Sequence, residues 1–158
     1  HIGDAGLNAR IVKDYSLDSK RGLFTYAKYF FEELSNAVPF TSSIKTDEQE
    51  IELEGFMLAI ANSKRYGTGM KINQISNATD GVFEISILKE KGLSTLIKAG
   101  LSAFDIDMDE EPNLKTISCK YAEIKFSRPV TFQVDGELIG MVEELKAEIV
   151  ESAVQLIV

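Results

Sequence analysis

The sequence predicts a mainly β domain, built as a two-layer β-sandwich-like fold with one longer and one short helix. Two observations carry this prediction. Roughly eight or nine segments have the period of two that is typical of strands. Only two segments are predicted to be helices, and the longer of them has the apolar spacing of a helix. Two facing sheets with a helix packed at one edge bury the apolar faces of both kinds of element.

Strands are predicted along most of the chain. Alternation of Leu7, Ala9 and Ile11 with polar residues predicts a first strand over residues 7–15, and "FTSSIKT", "EIELEG" and "FMLAIANS" predict three more after Val38. Further strands are predicted at "VFEISILK", "TISCKYAEIKFS" and "VTFQV", with Pro129 as a break between the last two. The tail favours two strands over an amphipathic helix, through the alternating residues Leu145, Ala147, Ile149, Val154, Leu156 and Val158.

Two segments are predicted to be helical. In residues 18–37 the apolar side chains recur at i, i+4, i+7 and i+11, and Asp18 or Ser19 can cap the N-terminus. "GLSTLIKAGLSAF", residues 92–104, predicts the short helix, followed by a solvated acidic loop at "DIDMDEEPN". "KRYGTG" is predicted to be a loop because its two glycines prevent regular structure.

Composition indicates one folded, soluble domain and excludes several functions. The net charge of −8 argues against nucleic-acid binding, which needs a basic face. The single Cys119 excludes an internal disulfide and a cysteine-based zinc site, and it favours a reducing, cytoplasmic setting. Because His1 is the only histidine, His-dependent triads and His-ligated metals are excluded. The longest apolar run, residues 56–61, is far shorter than a membrane span.

The local motifs are each weak by themselves. Asp135-Gly136 lies between Val134 and Glu137 and predicts a type I′ hairpin turn, which needs positive φ at both central residues. Asp80-Gly81 repeats this signal, and either pair alone is most often an ordinary turn. The "GTG" of residues 67–69 is too short for a phosphate loop, and no Walker or dinucleotide motif occurs in the sequence.

The predicted longer helix mixes basic and aromatic residues. Lys20, Arg21 and Lys28 stand among several phenylalanines and tyrosines. A core-packing helix whose lysines cover its rim explains this pattern, and a surface that contacts anionic lipid explains it as well.

The order of these pieces resembles a known family. "RGLFTYAKYFFEEL", "FMLAIANSKRYGTGMKINQISNATDGVFEISILK" and "VTFQVDGELIG" together resemble the C-terminal domain of the diacylglycerol kinase-like lipid kinases, bacterial relatives of diacylglycerol, sphingosine and ceramide kinases. The resemblance runs from about Gly3 to Glu137. The family's ATP-binding loop, a Gly-Gly-Asp-Gly-Thr run in an N-terminal α/β domain, is not among these residues. The resemblance therefore implies that residues 1–158 are the second domain only.

The resemblance implies a role for each candidate site residue. The full protein would transfer the γ-phosphoryl group of ATP to a lipid hydroxyl, with Mg²⁺ on the phosphates. Asp135 would be the catalytic base, and Glu137 would orient it or help to hold a metal. The remaining assignments are Asp80 for a bound Mg²⁺, Asn62, Gly67 and Gly69 for the lining of the cleft, and Arg21 and Lys28 for lipid phosphate or membrane.

The implied partners are a lipid at the membrane surface and the N-terminal nucleotide-binding domain, with peripheral membrane association in the cytoplasm and a homodimer as a further possibility. Three other readings stay open at this point. The chain is compatible with a non-enzymatic β-sandwich that binds a lipid or a protein, and with a kinase-like protein that has lost activity. An NAD kinase shares the two-domain plan, but the sequence shows no set of residues that would bind a dinucleotide.

Overall fold

The computed structural model describes residues 2–17, 29, 32–33, 35–62, 79–89, 114–150 and 153. The chain is mainly β, as predicted. Eight strands in one sheet and the helix α1 are described over their full length. They are β1 (Ile2–Gly6), α1 (Leu7–Leu17), β2 (Phe40–Thr46), β3 (Glu50–Gly55), β4 (Met57–Ala61), β5 (Phe83–Leu88), β6 (Leu114–Cys119), β7 (Tyr121–Val134) and β8 (Glu137–Glu148).

The long strand β7 organises the sheet. It pairs with β8 along its whole length, and its other edge is shared between two shorter strands. Residues 122–126 pair with β2, and residues 132–134 pair with β1. β3 continues the sheet beyond β2, and β4, β5 and β6 continue it beyond β1. All of these pairings are antiparallel.

Pro129 lies where β7 changes partner. The register of β7 against β8 shifts between Lys125 and Val130. A proline cannot donate to a ladder, so it is tolerated at such an irregularity. The predicted break at Pro129 is therefore a bulge inside one continuous strand. The predicted single strand over residues 116–127 was also wrong, because the chain reverses at Lys120, between β6 and β7.

Two tight corners fold the sheet into two layers. Only Phe56 separates β3 from β4, and only Lys120 separates β6 from β7, although each pair has three other strands between its members in the sheet. Strands so far apart in one sheet can be joined by one residue only if the sheet curls over on itself. The Phe56 amide donates to the Leu88 carbonyl at 2.9 Å, which fixes the first corner. The sandwich-like fold is thus confirmed.

The core lies between the layers and draws on both. It contains Phe40 and Ile44 from β2, and its largest cross-layer members come from β4, β5, β6 and β7: Leu58, Ile85, Ile87, Ile117, Ile124 and Phe132. Phe40 and Phe126 meet edge to face, with ring centroids 5.5 Å apart. Cys119 is a free, buried thiol in this core, and burial raises its pKa to about 12.

The segment predicted as a first strand is the helix α1. Leu7 and Ile11 are one helical turn apart and are both buried, and they pack together against Leu88. Three alternating residues are too few to distinguish a strand from a helix with a small Ala9 between two larger side chains. The Leu7 amide donates to the Phe56 carbonyl at 3.0 Å, which satisfies one of the amides that the first helical turn leaves without a partner.

The first strand of the chain is instead β1, which the sequence pattern did not predict. Its sequence, IGDAG, has two glycines and an aspartate. The absent side chain of Gly3 admits the Phe132 ring, which a Cβ would approach to 3.0 Å. Gly6 has φ +93°, which turns the chain from β1 into α1.

The other predicted elements are confirmed where the structure describes them. β2, β3, β4 and β5 lie where alternation placed them, and Leu145 and Ala147 lie in β8. Within the predicted longer helix, the described residues Tyr29, Glu32, Glu33 and Ser35 are helical. The short helix, the loops at residues 64–69 and 105–113 and the last predicted strand lie outside the described residues.

A first prediction concerns Gly6. A Cβ there would lie 2.5 Å from the Phe56 carbonyl oxygen and 2.6 Å from the Phe40 ring. We expect Gly6→Ala to lower the free energy of unfolding by at least about 3 kcal/mol, from backbone strain and steric overlap together. Gly136→Ala is the matched control, because Gly136 has φ +86° but open space around its Cβ position. It should cost only about 1–2 kcal/mol. Equal losses in urea denaturation would contradict this account.

A second prediction concerns pH. The Arg10 Nε lies 2.5 Å from Glu33 Oε2. Burial raises the pKa of Glu33, and Arg10 partly opposes this rise. A carboxyl whose pKa is raised by folding favours the folded state below its unfolded pKa, and this contribution is lost as pH rises through the folded pKa. Arg10→Met should therefore lower the free energy of unfolding by about 1–2 kcal/mol at pH 7, where it leaves the Glu33 carboxylate without its cation. The partial exposure of Arg10 limits this loss, and the loss should be smaller at pH 4.

Arg128→Met is the control for this pH dependence. The Arg128 guanidinium donates to the backbone carbonyls of Val38 and Pro39. Arg128→Met should lower the free energy of unfolding, measured by thermal denaturation, by the same amount at pH 7 and at pH 4. A penalty for Arg10→Met that is just as independent of pH would contradict the role given to Glu33.

Candidate functional site: the carboxylate edge of the sheet

One edge of the sheet gathers four of the predicted site residues, including Glu137 at the start of β8. Because neighbouring strands are antiparallel, the end of β7, the start of β1, the end of β4 and the start of β5 meet at this edge. Asp135 follows β7, Asn62 follows β4, and Asp80 lies three residues before β5. We call this the carboxylate edge. The register across it runs from Ile2 to Ala61 and on to Glu84.

Asp135 is fixed by its turn and by β1. Asp135 and Gly136 have φ of 49° and 86°, so both central residues are in the positive-φ region that the Asp-Gly pair predicted for a type I′ turn. The Asp135 amide donates to the Ile2 carbonyl at 2.8 Å, and its carboxylate oxygen Oδ1 accepts from the Ile2 amide at 2.9 Å. The side chain is exposed, as is Glu137, which pairs with Val134 across the turn. An exposed carboxylate is thus held in one position by a β scaffold.

The second Asp-Gly pair makes a different turn from the one predicted. Gly81 has φ +77°, but Asp80 is not in the positive-φ region, so this is not a type I′ turn. The Asp80 Oδ1 accepts from the Val82 amide at 3.1 Å, which is the hydrogen bond of an Asx turn. Asp80 is exposed beside the start of β5.

Asn62 is half-buried at the end of β4. Its Oδ1 is shielded from solvent and has no hydrogen-bond partner among the described residues. The other predicted residues, Arg21, Lys28, Gly67 and Gly69, lie outside the described part of the chain.

A row of five residues, four of them polar and most of them buried, crosses the sheet behind the carboxylate edge. Gln133, Asp4, Ala59, Ser86 and Thr116 face one another in register on β7, β1, β4, β5 and β6. We call this the polar row. The Ser86 and Thr116 hydroxyls are 3.0 Å apart, within hydrogen-bonding distance.

Asp4 and Gln133 join this row to the turn. Gln133 Nε2 donates to Asp4 Oδ2, which also accepts from Asn8 Nδ2 at 2.7 Å. Gln133 Oε1 accepts from the Gly136 amide at 2.6 Å. Sequence patterns do not predict this network, because single polar residues in strands usually face water.

Glu84 is a further buried carboxylate that the sequence analysis passed over. It lies next to the polar row on β5, opposite Ala61, and is 2% exposed. Alternation placed it on the face opposite the core, which normally means solvent. In the structure both faces of β5 are buried, including Ser86 and Leu88 on the side of Glu84.

The spacing of the carboxylates limits the chemistry. Asp135 and Glu84 are three strands apart, which at about 4.8 Å per strand is roughly 14 Å. They cannot share a proton as a close carboxylate pair does. Within the described residues, no group of three or more His, Cys, Asp or Glu side chains could hold a metal ion. The edge therefore offers the exposed carboxylates of Asp135 and Glu137 on one turn, and a separate corner between β4 and β5 with Asn62 and the exposed Asp80.

A cavity of about 220 Å³ lies at the other end of β1. Its lining includes Gly6, Arg10, Phe56, Arg128 and Met141. Both arginines already have partners, since Arg10 pairs with Glu33 and Arg128 binds backbone carbonyls. Because Gly6 lines the cavity and Asp135 contacts Ile2, the length of β1 separates the cavity from Asp135.

No helix among the described residues is long and apolar enough to cross a membrane.

Comparison with known proteins decides the family. Residues 3–158 match the family described as "YegS C-terminal NAD kinase beta sandwich-like domain". The chain belongs to this family. The family match covers the carboxylate edge, including Asp135, Asp80 and Asn62. No curated protein sequence matches the chain.

Solved structures share the fold. A "putative diacylglycerol kinase" from Bacillus anthracis str. Sterne superposes with a TM-score of 0.66 at 19% identity, over 95% of this chain and 50% of that protein. A second structure with this name, from the same strain, gives 0.63 at 18% identity, again over 95% and 50%. A third diacylglycerol kinase from this strain gives 0.53 at 16% identity, over 93% and 43%. The chain thus spans about half the length of these proteins.

The geometry of the turn predicts how Asp135 responds to substitution. Asparagine tolerates positive φ and has an oxygen that can accept from the Ile2 amide, so Asp135→Asn should change the free energy of unfolding by less than about 0.5 kcal/mol. Asp135→Ala loses that hydrogen bond and strains the turn, so it should cost about 1–2 kcal/mol. Chemical denaturation of the two variants tests this. A large loss for Asp135→Asn would show that the charge itself stabilises the turn.

Proposed function

We propose that this chain is the second domain of an ATP-dependent lipid kinase, with Asp135 as the catalytic base. The observation that carries the proposal is the exposed Asp135 carboxylate at the end of a hairpin, where the carboxylate accepts from the Ile2 amide and the Asp135 amide donates to the Ile2 carbonyl. Membership of the family and the names of the structural neighbours support kinase chemistry. Diacylglycerol or a related lipid with a free hydroxyl is the proposed acceptor.

The proposed reaction is a phosphoryl transfer. The acceptor hydroxyl oxygen forms a bond to the γ-phosphorus of ATP, and the bond between that phosphorus and the oxygen bridging to the β-phosphate breaks. Asp135 takes the hydroxyl proton, and ADP leaves with the bridging oxygen. A positioned base of this kind contributes about 10²–10⁴ in rate. Glu137, two residues away on the same turn, is proposed to orient Asp135 or to help to hold a metal.

The residues at the Asn62–Asp80 corner fit Mg²⁺. Mg²⁺ prefers oxygen ligands and keeps several waters, so it needs only one or two protein carboxylates. Asp80 supplies an exposed carboxylate, and Asn62 supplies a shielded oxygen that has no partner among the described residues. When bound, the ion would stabilise the site through a network of its waters and the Asp80 carboxylate. Asp80 is the proposed ligand, and Asn62, Gly67 and Gly69 are proposed to line the cleft.

The remaining parts of the proposal concern partners and location. ATP is proposed to bind an N-terminal domain, since the sequence has no phosphate-binding loop. The protein is proposed to act in the cytoplasm at the membrane surface, with Arg21 and Lys28 near lipid phosphate. Apolar side chains are exposed on β8 beside the turn, at Leu138, Ile139 and Met141. This strip supports an apolar contact there, with the membrane as the proposed partner and a homodimer as the competing arrangement.

Asp135→Asn tests the catalytic assignment in the complete protein. Because the variant keeps the turn but loses the base, we expect kcat to fall by about 10²–10⁴ with the KM for ATP within about twofold. The measurement is transfer of radiolabelled phosphate from ATP to diacylglycerol in mixed micelles.

Asp47→Asn is the matched control. Asp47 is also an exposed turn aspartate whose carboxylate accepts from a backbone amide, that of Lys120, but it lies in the turn between β2 and β3. It should keep full activity. A variant Asp135→Asn that turns over as fast as Asp47→Asn would remove Asp135 from the mechanism. A wild-type protein that phosphorylates no lipid would favour a binding module instead.

A further inference from the structure

We propose that Asp4 and Gln133 are positioning residues that hold Asp135 in its reactive place. The proposal rests on the function proposed above. Neither residue is exposed at the carboxylate edge, since Asp4 is 0% exposed and Gln133 is 1% exposed. They therefore act through the turn and not on a substrate.

The turn is held from two sides. On one side, the backbone of Ile2 binds the Asp135 amide and carboxylate. On the other, the Gln133 side chain accepts from the Gly136 amide. A two-residue turn has only these two central residues, so each of them has its own anchor. Loss of either anchor would let the Asp135 side chain swing while the strands on both sides stayed paired.

Asp4 determines which way the Gln133 amide points. A glutamine amide can be turned by 180°, which exchanges its donor and its acceptor. Asp4 Oδ2 is an acceptor, since it already accepts from Asn8 Nδ2, so the Gln133 NH₂ group is the side that faces it. The Gln133 oxygen is then the atom left to face the Gly136 N–H. Asp4 is itself held by Asn8 of α1 and by its place between β4 and β7.

This arrangement suits a base more than it suits a plain turn. A base must lie within hydrogen-bond reach of the proton that it takes. A displacement of about 1 Å can cost about 100-fold in rate. Burying a carboxylate and an amide carries a desolvation penalty that an apolar pair at the same positions would avoid. The buried pair of Asp4 and Gln133 offsets this penalty by fixing the turn that carries Asp135.

Exchanging the two groups gives a sharp test. Gln133→Glu keeps an acceptor for Gly136 but places two carboxylates together, so the side chain should move away. The double variant Asp4→Asn with Gln133→Glu restores one amide facing one carboxylate at the same net charge. Thr116→Val is the control, since it breaks the Ser86–Thr116 pair elsewhere in the polar row.

Two readouts separate position from stability. In the 158-residue chain, Gln133→Glu should raise the exchange rate of the Gly136 amide by at least about tenfold, measured by NMR below the unfolding transition. In the complete protein it should lower kcat at least about tenfold with the KM for ATP unchanged. The double variant should recover both values to within about threefold. Thr116→Val should change neither, even where it lowers the melting temperature.

Unchanged Gly136 exchange in Gln133→Glu overturns the inference. So does a loss of kcat no larger than that of Thr116→Val, or a double variant no better than the single one. These outcomes differ from a failure of the proposed function. If the wild-type protein phosphorylates no lipid, the lipid-kinase proposal falls, while the exchange rates still decide whether Asp4 and Gln133 hold the turn.

Discussion

The insertion of β1 between β4 and β7 is the constraint on which the rest of the structure depends. β1 is only five residues long, yet it joins β7 and β8 to the strands β4, β5 and β6. Its glycines make this possible, because Gly3 admits the Phe132 ring and Gly6 turns the chain into α1. At its first residue, β1 also binds both the amide and the carboxylate of Asp135. The same strand therefore completes the fold and fixes the candidate base.

The two faces of the sheet have different tasks. The inner face carries the apolar core, to which β2, β4, β5, β6 and β7 all contribute. The opposite face carries the polar row, from Gln133 to Thr116, with α1 packed beside it through Leu7 and Ile11. Apolar burial supplies most of the stability of such a domain. The buried polar groups fix the orientation of the side chains, since each hydrogen bond restricts its partner to one orientation.

Sequence reasoning succeeded where the signal was local. Alternation predicted β2, β3, β4 and β5, and the Asp135-Gly136 pair predicted the turn between β7 and β8. Both signals depend only on a few neighbouring residues. It failed for β1 and α1, where Gly6 and the corner at Phe56 decide the structure through contacts distant in sequence. Glu84 and Gln133 were missed for the same reason. Their burial comes from the other elements that cover β5 and β7, and no pattern within a single strand encodes it.

The most direct test of the account is a crystal structure of the complete protein with Mg²⁺ and a non-hydrolysable ATP analogue. We expect the γ-phosphate to lie within roughly 6–7 Å of the Asp135 carboxylate, which is one hydrogen bond plus one near-attack distance. We also expect the nucleotide to approach the carboxylate edge. A γ-phosphate bound at the opposite end of β1, against Arg10 and Arg128 in the cavity there, would contradict the central claim.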